Sequence, residues 1–206
     1  MNTPNILTAL LSGVLAALFT QGLAWLREWR GESKQAKFAA LYIAITLEAY
    51  ARTCASVIGE SETYEASEEN AGVGHGNLAE IPEFPEVDWK AFGIKNAERA
   101  MAFRTRIDND RAMIRETWEH ADEDDIVPLV REKSGEHGLD ALAMAKDFRS
   151  QHRLTPLAES GQFSTQSYLQ RKHDEYVEKR KRWEEGQRKM IQELFAQDEP
   201  ANKAHP

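Results

Sequence analysis

The chain has 206 residues, 34 acidic against 26 basic side chains for a formal net charge of −8, and a single cysteine. That length suits one domain, the lone Cys excludes a disulfide scaffold, and the net acidity excludes nucleic-acid binding unless a local basic stripe outweighs it. Charged residues make up 29% and Ala outnumbers Val plus Ile by 27 to 17, so the composition leans to helices rather than sheet.

Residues 6–26 read ILTALLSGVLAALFTQGLAWL, with seven Leu and no charge. As a helix they span about 31 Å against a hydrocarbon core of roughly 30 Å, which predicts one membrane crossing. The polar minority does not defeat insertion, because hydroxyls bond back to helix carbonyls and Gln21 lies near the headgroups, where Trp25 and Trp29 mark the interface. The five residues before Ile6 hold no Lys or Arg, whereas Arg27, Arg30, Lys34 and Lys37 follow closely. The positive-inside rule therefore predicts an outside N-terminus and a cytoplasmic remainder. A cleaved secretory signal needs a basic start and a shorter apolar run, and the core helix of a soluble protein seldom stays uncharged for so long. Ser12, Ala16, Thr20 and Ala24 recur every four residues, with Gly13 and Ala17 beside them, a small-residue face through which the membrane helix could form a homo-oligomer.

A juxtamembrane and first cytoplasmic helix is expected over 27–59, with Phe38, Leu41, Tyr42, Ile45, Leu47, Tyr50, Cys54, Val57 and Ile58 at helical spacing and Gly59 as the stop. Residues 60–88 carry nine carboxylates and no Lys or Arg, with Gly72, Gly74, Gly76, Pro82 and Pro85. This predicts a long acidic loop running to 93, whose second half can pack through Ile81, Phe84, Val87, Trp89 and Phe92. Three further helices fill 94–196. The first, over 94–120, has Ala100, Phe103, Ile107, Ile114 and Trp118 on one face. The second follows the acidic run at 122–125, tolerates Pro128 in its first turn, and presents Val130, His137, Ala141, Met144 and Phe148. The third runs from about 164 to 195 with Leu169, Tyr176, Trp183 and Met190 seven apart. Its companion heptad positions His173, Arg180, Gln187 and Leu194 are mostly polar, so it is expected to pack along the other helices rather than form a free coiled coil. Residues 197–206 read as a disordered tail.

The uncharged N-terminal segment, the run LEAYARTCASVIGESE, the Gly-containing acidic loop and then IPEFPEVDWKAF together resemble a group of bacterial single-pass membrane proteins with no assigned activity. The resemblance covers most of residues 1–155, and its most recognisable piece is a PxxPxVDWK-like segment at 82–90. It implies a bacterial inner-membrane address and an all-helical build, and transfers no catalytic residue.

The chain holds no HExxH, no ExxH pair of the di-iron type and no second Cys. Glu116 and His120 share a helix face and His137 lies on the next helix, which makes them the candidate ligands of a two-helix metal-dependent hydrolase site. Each also has a plain structural reading, a solvated pair near a helix end and a core histidine. The acidic run at 122–125 lacks the sixth-position Gly of an EF-hand, and GVGHG at 72–76 lacks the Lys of a phosphate loop. Pro82, Phe84, Pro85 and Trp89 form a candidate interaction segment, though acidic flanks argue against a PxxP ligand. The basic stretch 171–189 is interleaved with glutamates, which argues against nucleic acid and leaves an intramolecular acidic partner or lipid headgroups.

The expectation is thus an all-α protein, one transmembrane helix leading into an approximately four-helix cytoplasmic bundle with a long acidic loop. Its expected partners are the lipid bilayer and an unidentified protein. No cofactor is expected, and an enzyme is less expected than an interaction module. A periplasm-facing, spanin-like structural protein is the topological alternative.

Overall fold

A computed structural model describes residues 3–68, 76–120, 123–157 and 164–198; for 123–125, 194–198 and most of 3–32 it describes the backbone alone. The regular structure among the described residues is all helical, with no strand: α1 (Thr3–Ala66), α2 (Trp89–Phe92), α3 (Ile94–Trp118), α4 (Glu123–Gln151) and α5 (Thr165–Asp198).

α1 is one continuous helix of 64 residues, about 96 Å long, that includes the apolar segment 6–26. It does not stop at Gly59. A glycine inside a helix costs only about 1 kcal/mol relative to Ala, and burial of Val57 and Ile58 before it and Ser61 after it outweighs that preference. The acidic loop accordingly begins seven residues later than expected. α1 is long and apolar enough to span a membrane. Among the described residues, the stretch that meets this measure is Ser33–Ala66; its most apolar 18 residues have a mean hydropathy of 1.2, yet half of them are buried inside the protein. Ile43, Leu47 and Ile58 are sealed by protein, so Ser33–Ala66 is a core helix rather than a lipid-facing one.

Side-chain partners fix the directions of the helices. Going up α1, Glu48 meets Arg149, Cys54 lies beside Gly138, and Glu65 meets Arg131, so α4 descends as α1 ascends. Arg99 pairs with Asp147, Arg106 with Asp140 and Asp110 with His137, so α3 ascends alongside α4. α5 ascends as well, with Tyr168 near Gly59 and then Lys172 and Tyr176 on Glu62. The shared core consists of Ile43, Leu47, Tyr50 and Ile58 of α1, Phe103, Ile107 and Ile114 of α3, Val130 and Phe148 of α4, and Leu169 of α5.

Residues 76–88 descend along this core without regular structure. A Cβ on Gly76 would meet the Trp118 ring at 2.9 Å, Glu80 pairs with Arg111, and Leu78, Ala79 and Ile81 are buried. Asp88 caps α2 by accepting from the Ala91 amide, and Gly93, at φ 93°, turns the chain into α3. Two further details depart from the sequence reading. Pro128 lies in the second turn of α4 rather than the first, and Trp118 sits exposed at the end of the α3 apolar face. α5 runs through 198, and the rest of the expected tail lies outside the described residues.

Candidate functional site

Polar groups cross the core at three levels. At the lower end, Arg149 donates Nε and Nη2 to the two Glu48 carboxylate oxygens at 2.6 and 3.0 Å and Nη1 to the Thr155 carbonyl. Both side chains are nearly buried, and the Glu48 hydrogen bond holds the guanidinium pKa above its usual value. At the upper end, Arg131 donates to the Ser61 hydroxyl at 2.8 Å, to the Ser61 carbonyl at 2.7 Å and to Glu65. Arg180 of α5 pairs there with Glu132 of α4. Glu62 accepts from the Tyr176 hydroxyl at 2.6 Å and from Lys172 Nζ at 2.7 Å.

The middle level carries the chemistry-bearing residues. His137 is fully buried, and its Nε2 lies 2.9 Å from Asp110 Oδ2, with Lys133 Nζ 3.5 Å from the same oxygen. Burial holds the imidazole pKa below its ordinary value despite the Asp110 hydrogen bond, which pulls the other way. His137 Nδ1, the Ser134 hydroxyl, the Tyr50 hydroxyl and Arg111 Nε have no hydrogen-bond partner among the described residues. Phe103 stands edge-on to both Tyr50 and His137, at 6.1 and 6.2 Å between ring centres.

A carboxylate-oriented imidazole is one half of a general-base arrangement, and it needs a substrate proton within reach. His137 has no exposed surface through which to offer that reach. Its neighbours are equally unsuited to act as nucleophiles at neutral pH. Burial raises the Tyr50 phenol far above its usual range and pushes the Cys54 thiol up to about 12. The middle level is therefore a packed polar interior that sets the register of α1, α3 and α4.

Glu116 and His120 are exposed at the upper end of α3, whereas His137 faces Asp110, which lies six residues, about 9 Å, below Glu116 along the same helix. The structure does not bring the three together. Among the described residues no group of three or more His, Cys, Asp or Glu side chains is arranged to hold a metal ion.

The 82–89 segment is fixed to the protein by aromatic contacts. Phe84 meets Trp89, Trp89 meets Phe92, and Phe92 meets Phe148, at 6.0, 6.1 and 4.9 Å and all edge to face. Phe84, Pro85 and Trp89 are half-buried, and Pro82 is the exposed member of the four. The side chains of Gly13 and Ala17 lie outside the described residues.

The largest departure concerns α5. Leu169 and Tyr176 are buried, but every described residue from Glu178 to Glu193 is exposed. Trp183, at 63% exposure, shares an uncovered face with Met190 and Ile191. Because α5 ascends, this half projects beyond the upper end of α1, the end opposite residues 3–32. An open surface depression of about 710 Å³ on the first turns of α5 is lined by Ser164, Gln166, Ser167, Gln170, Arg171 and Asp174 and includes none of the candidate residues. The basic stretch finds intramolecular acidic partners at Lys172 and Arg180, as its charge predicts. Compared with known proteins, the chain matches no family model, no curated protein and no solved structure.

Proposed function

We propose that the protein is a membrane-tethered helical module, held by residues 6–26 in a bacterial inner membrane with its N-terminus outside, and that its cytoplasmic bundle acts by presenting a surface to another protein. The observation that carries this reading is the placement of two helical extensions at opposite ends of the packed helices. Residues 3–32 continue α1 from the lower end, and the exposed half of α5 leaves the upper end. Forty residues of continuous helix separate positions 26 and 66, so the α5 arm stands about 60 Å above the end of the apolar segment. An arm directed away from the bilayer and uncovered along Trp183, Met190 and Ile191 suits contact with a protein rather than with the lipid beside its own anchor. The resemblance to single-pass bacterial proteins agrees with this address, and the buried setting of His137 gives the hydrolase reading no support.

Fractionation together with a topology reporter tests the proposal. The full chain should sediment with membranes, resist alkaline carbonate and dissolve in detergent, and alkaline phosphatase fused after Ala196 should be inactive. A chain that stays monodisperse in the supernatant without detergent overturns the tether. An active phosphatase fusion moves the body to the periplasm and favours the spanin-like structural role.

A further inference from the structure

α1 has two apolar faces, and the described residues of its own chain bury only one. Ala40, Ile43, Leu47, Tyr50, Cys54 and Ile58 are buried in the core. At 100° per residue, Gly31, Phe38, Tyr42 and Ile45 fall within a sector of about 60° on the opposite side. Phe38 is 60% exposed, Tyr42 51% and Ile45 43%, so about half of each large apolar side chain is open to solvent. Half-buried Ala49 continues this row, and exposed Arg52 ends it. Successive steps of 7, 4, 3 and 4 residues from 31 to 49 follow the spacing of a two-helix seam.

Gly31 is an independent pointer to a helix on that face. It lies inside a continuous helix, where glycine is poorer than alanine, and, its own stretch of helix aside, no atom of the described residues lies within 4 Å of where its Cβ would stand. The described residues therefore supply no steric need for glycine there, whereas a second backbone approaching closely does. The same angular count places position 13, Gly13 in the sequence, in this sector and position 17, Ala17, about 20° beyond its edge. An occupant matched to such a face is elongated and lies alongside α1 for at least the 18 residues from 31 to 49, about 27 Å. α1 of another copy is such an object, apolar over the same positions.

We infer that α1 pairs in parallel with α1 of a second copy, through Gly31, Phe38, Tyr42 and Ile45. The parallel direction rests on the proposed tether, since two copies held in one bilayer share an orientation; the face itself does not depend on it.

Cross-linking of the full chain in native membranes and in detergent tests this, with a short bismaleimide and cysteine introduced singly as Tyr42→Cys, Ile45→Cys or Trp183→Cys. The native Cys54 is buried, so the parent chain is the blank. Cysteine at 42 and at 45 should each link to its own counterpart, while position 183 should not. The double variant Tyr42→Arg with Ile45→Arg should shift the dimer towards monomer at least tenfold in sedimentation equilibrium, with an unchanged helical spectrum because both residues are exposed. A monomeric parent chain, linking at 183 alone, or a dimer indifferent to both arginines would overturn the inference. Should the double variant misfold, the single cysteines still decide it. A monomer recovered from the membrane fraction removes the pairing and leaves the tether, and a dimer in detergent-free supernatant does the reverse.

Discussion

His137 and Glu48 are buried to a similar degree, but their partners differ, and the two residues should respond to different perturbations. Glu48 is held by Nε and Nη2 of the Arg149 guanidinium. Arg149→Met strands that carboxylate in a nearly dry position, where breaking one half of a buried pair costs about 3–5 kcal/mol. Thermal melting in detergent should show the loss, and Glu48→Leu combined with Arg149→Met should recover most of it. A single variant that melts like the parent would show that Glu48 reaches water. For His137 the relevant variable is pH. Its folded pKa lies below the ordinary value near 6.5, so on acidification the unfolded chain takes up this proton first. Stability is therefore full above about pH 6.5 and falls as pH drops from there towards the folded pKa, by at most about 1.4 kcal/mol per pH unit for one proton. His152, lowered by burial and then by Lys37, adds in the same sense. The melting midpoint should fall between pH 7 and 5, and His137→Gln should flatten the fall. A parent midpoint constant over that range would contradict the buried, neutral imidazole.

The elements meet through glycines whose roles a sequence does not distinguish. A Cβ on Gly138 would lie 2.8 Å from Leu169 Cδ1 and 3.2 Å from the Cys54 Cβ, so α1, α4 and α5 meet there at a distance only glycine permits. On Gly186 it would meet nothing within 4 Å. Gly138→Ala should cost about 1–3 kcal/mol despite the better helix former, whereas Gly186→Ala should raise the helicity of the arm and add up to about 1 kcal/mol. Circular dichroism melts of the two variants check both signs, and a shift in the same direction would refute the packing at Gly138. The pair also shows what the sequence made legible. Helices α3 and α4 were predictable to within a few residues because their apolar residues recur at helical spacing and the stripes end at turn signals. Gly59 misled because a stop signal is local, whereas Val57, Ile58 and Ser61 are held by other elements. Phe38, Tyr42 and Ile45 merged with Leu47 and Tyr50 into one helical pattern, since a helix apolar on two sides has no clear polar face to separate them. The candidate trio Glu116, His120 and His137 failed for a related reason: same-face spacing within each helix says nothing of the register between helices, which puts Asp110 opposite His137.

For the whole molecule the decisive asymmetry is between the anchored half of α5 and its free half. Leu169 and Tyr176 have core partners, while Trp183 and Met190 continue the same seven-residue spacing into solvent. Periodicity marks a face without telling how much of it is covered, so a helix expected to pack along its full length packs along only its first three turns. Beyond Arg180, which reaches back to Glu132, the described arm has no ion pair to another helix. Helical hydrogen bonds and the exposed i,i+4 pairs Glu178–Arg182 and Arg180–Glu184 hold such a segment, and an isolated helix of this length is marginal in water, so it opens at far lower free energy than the core. The run Lys179, Arg180, Lys181 and Arg182 lies at the base of the arm. Brief trypsin treatment of the full chain in detergent should therefore cut first at 179–182, before cleavage at Arg131 or Arg149, and leave an otherwise intact product detectable by mass spectrometry. Cleavage there should not change the melting of the remaining helices by more than a few degrees, because the core of Leu47, Phe103, Phe148 and Leu169 is untouched. An arm resistant to trypsin in the isolated chain would mean that a partner, a second copy included, already covers Trp183. The Tyr42→Arg and Ile45→Arg double variant separates those cases, since it disrupts pairing through α1 and leaves any contact made by the arm in place.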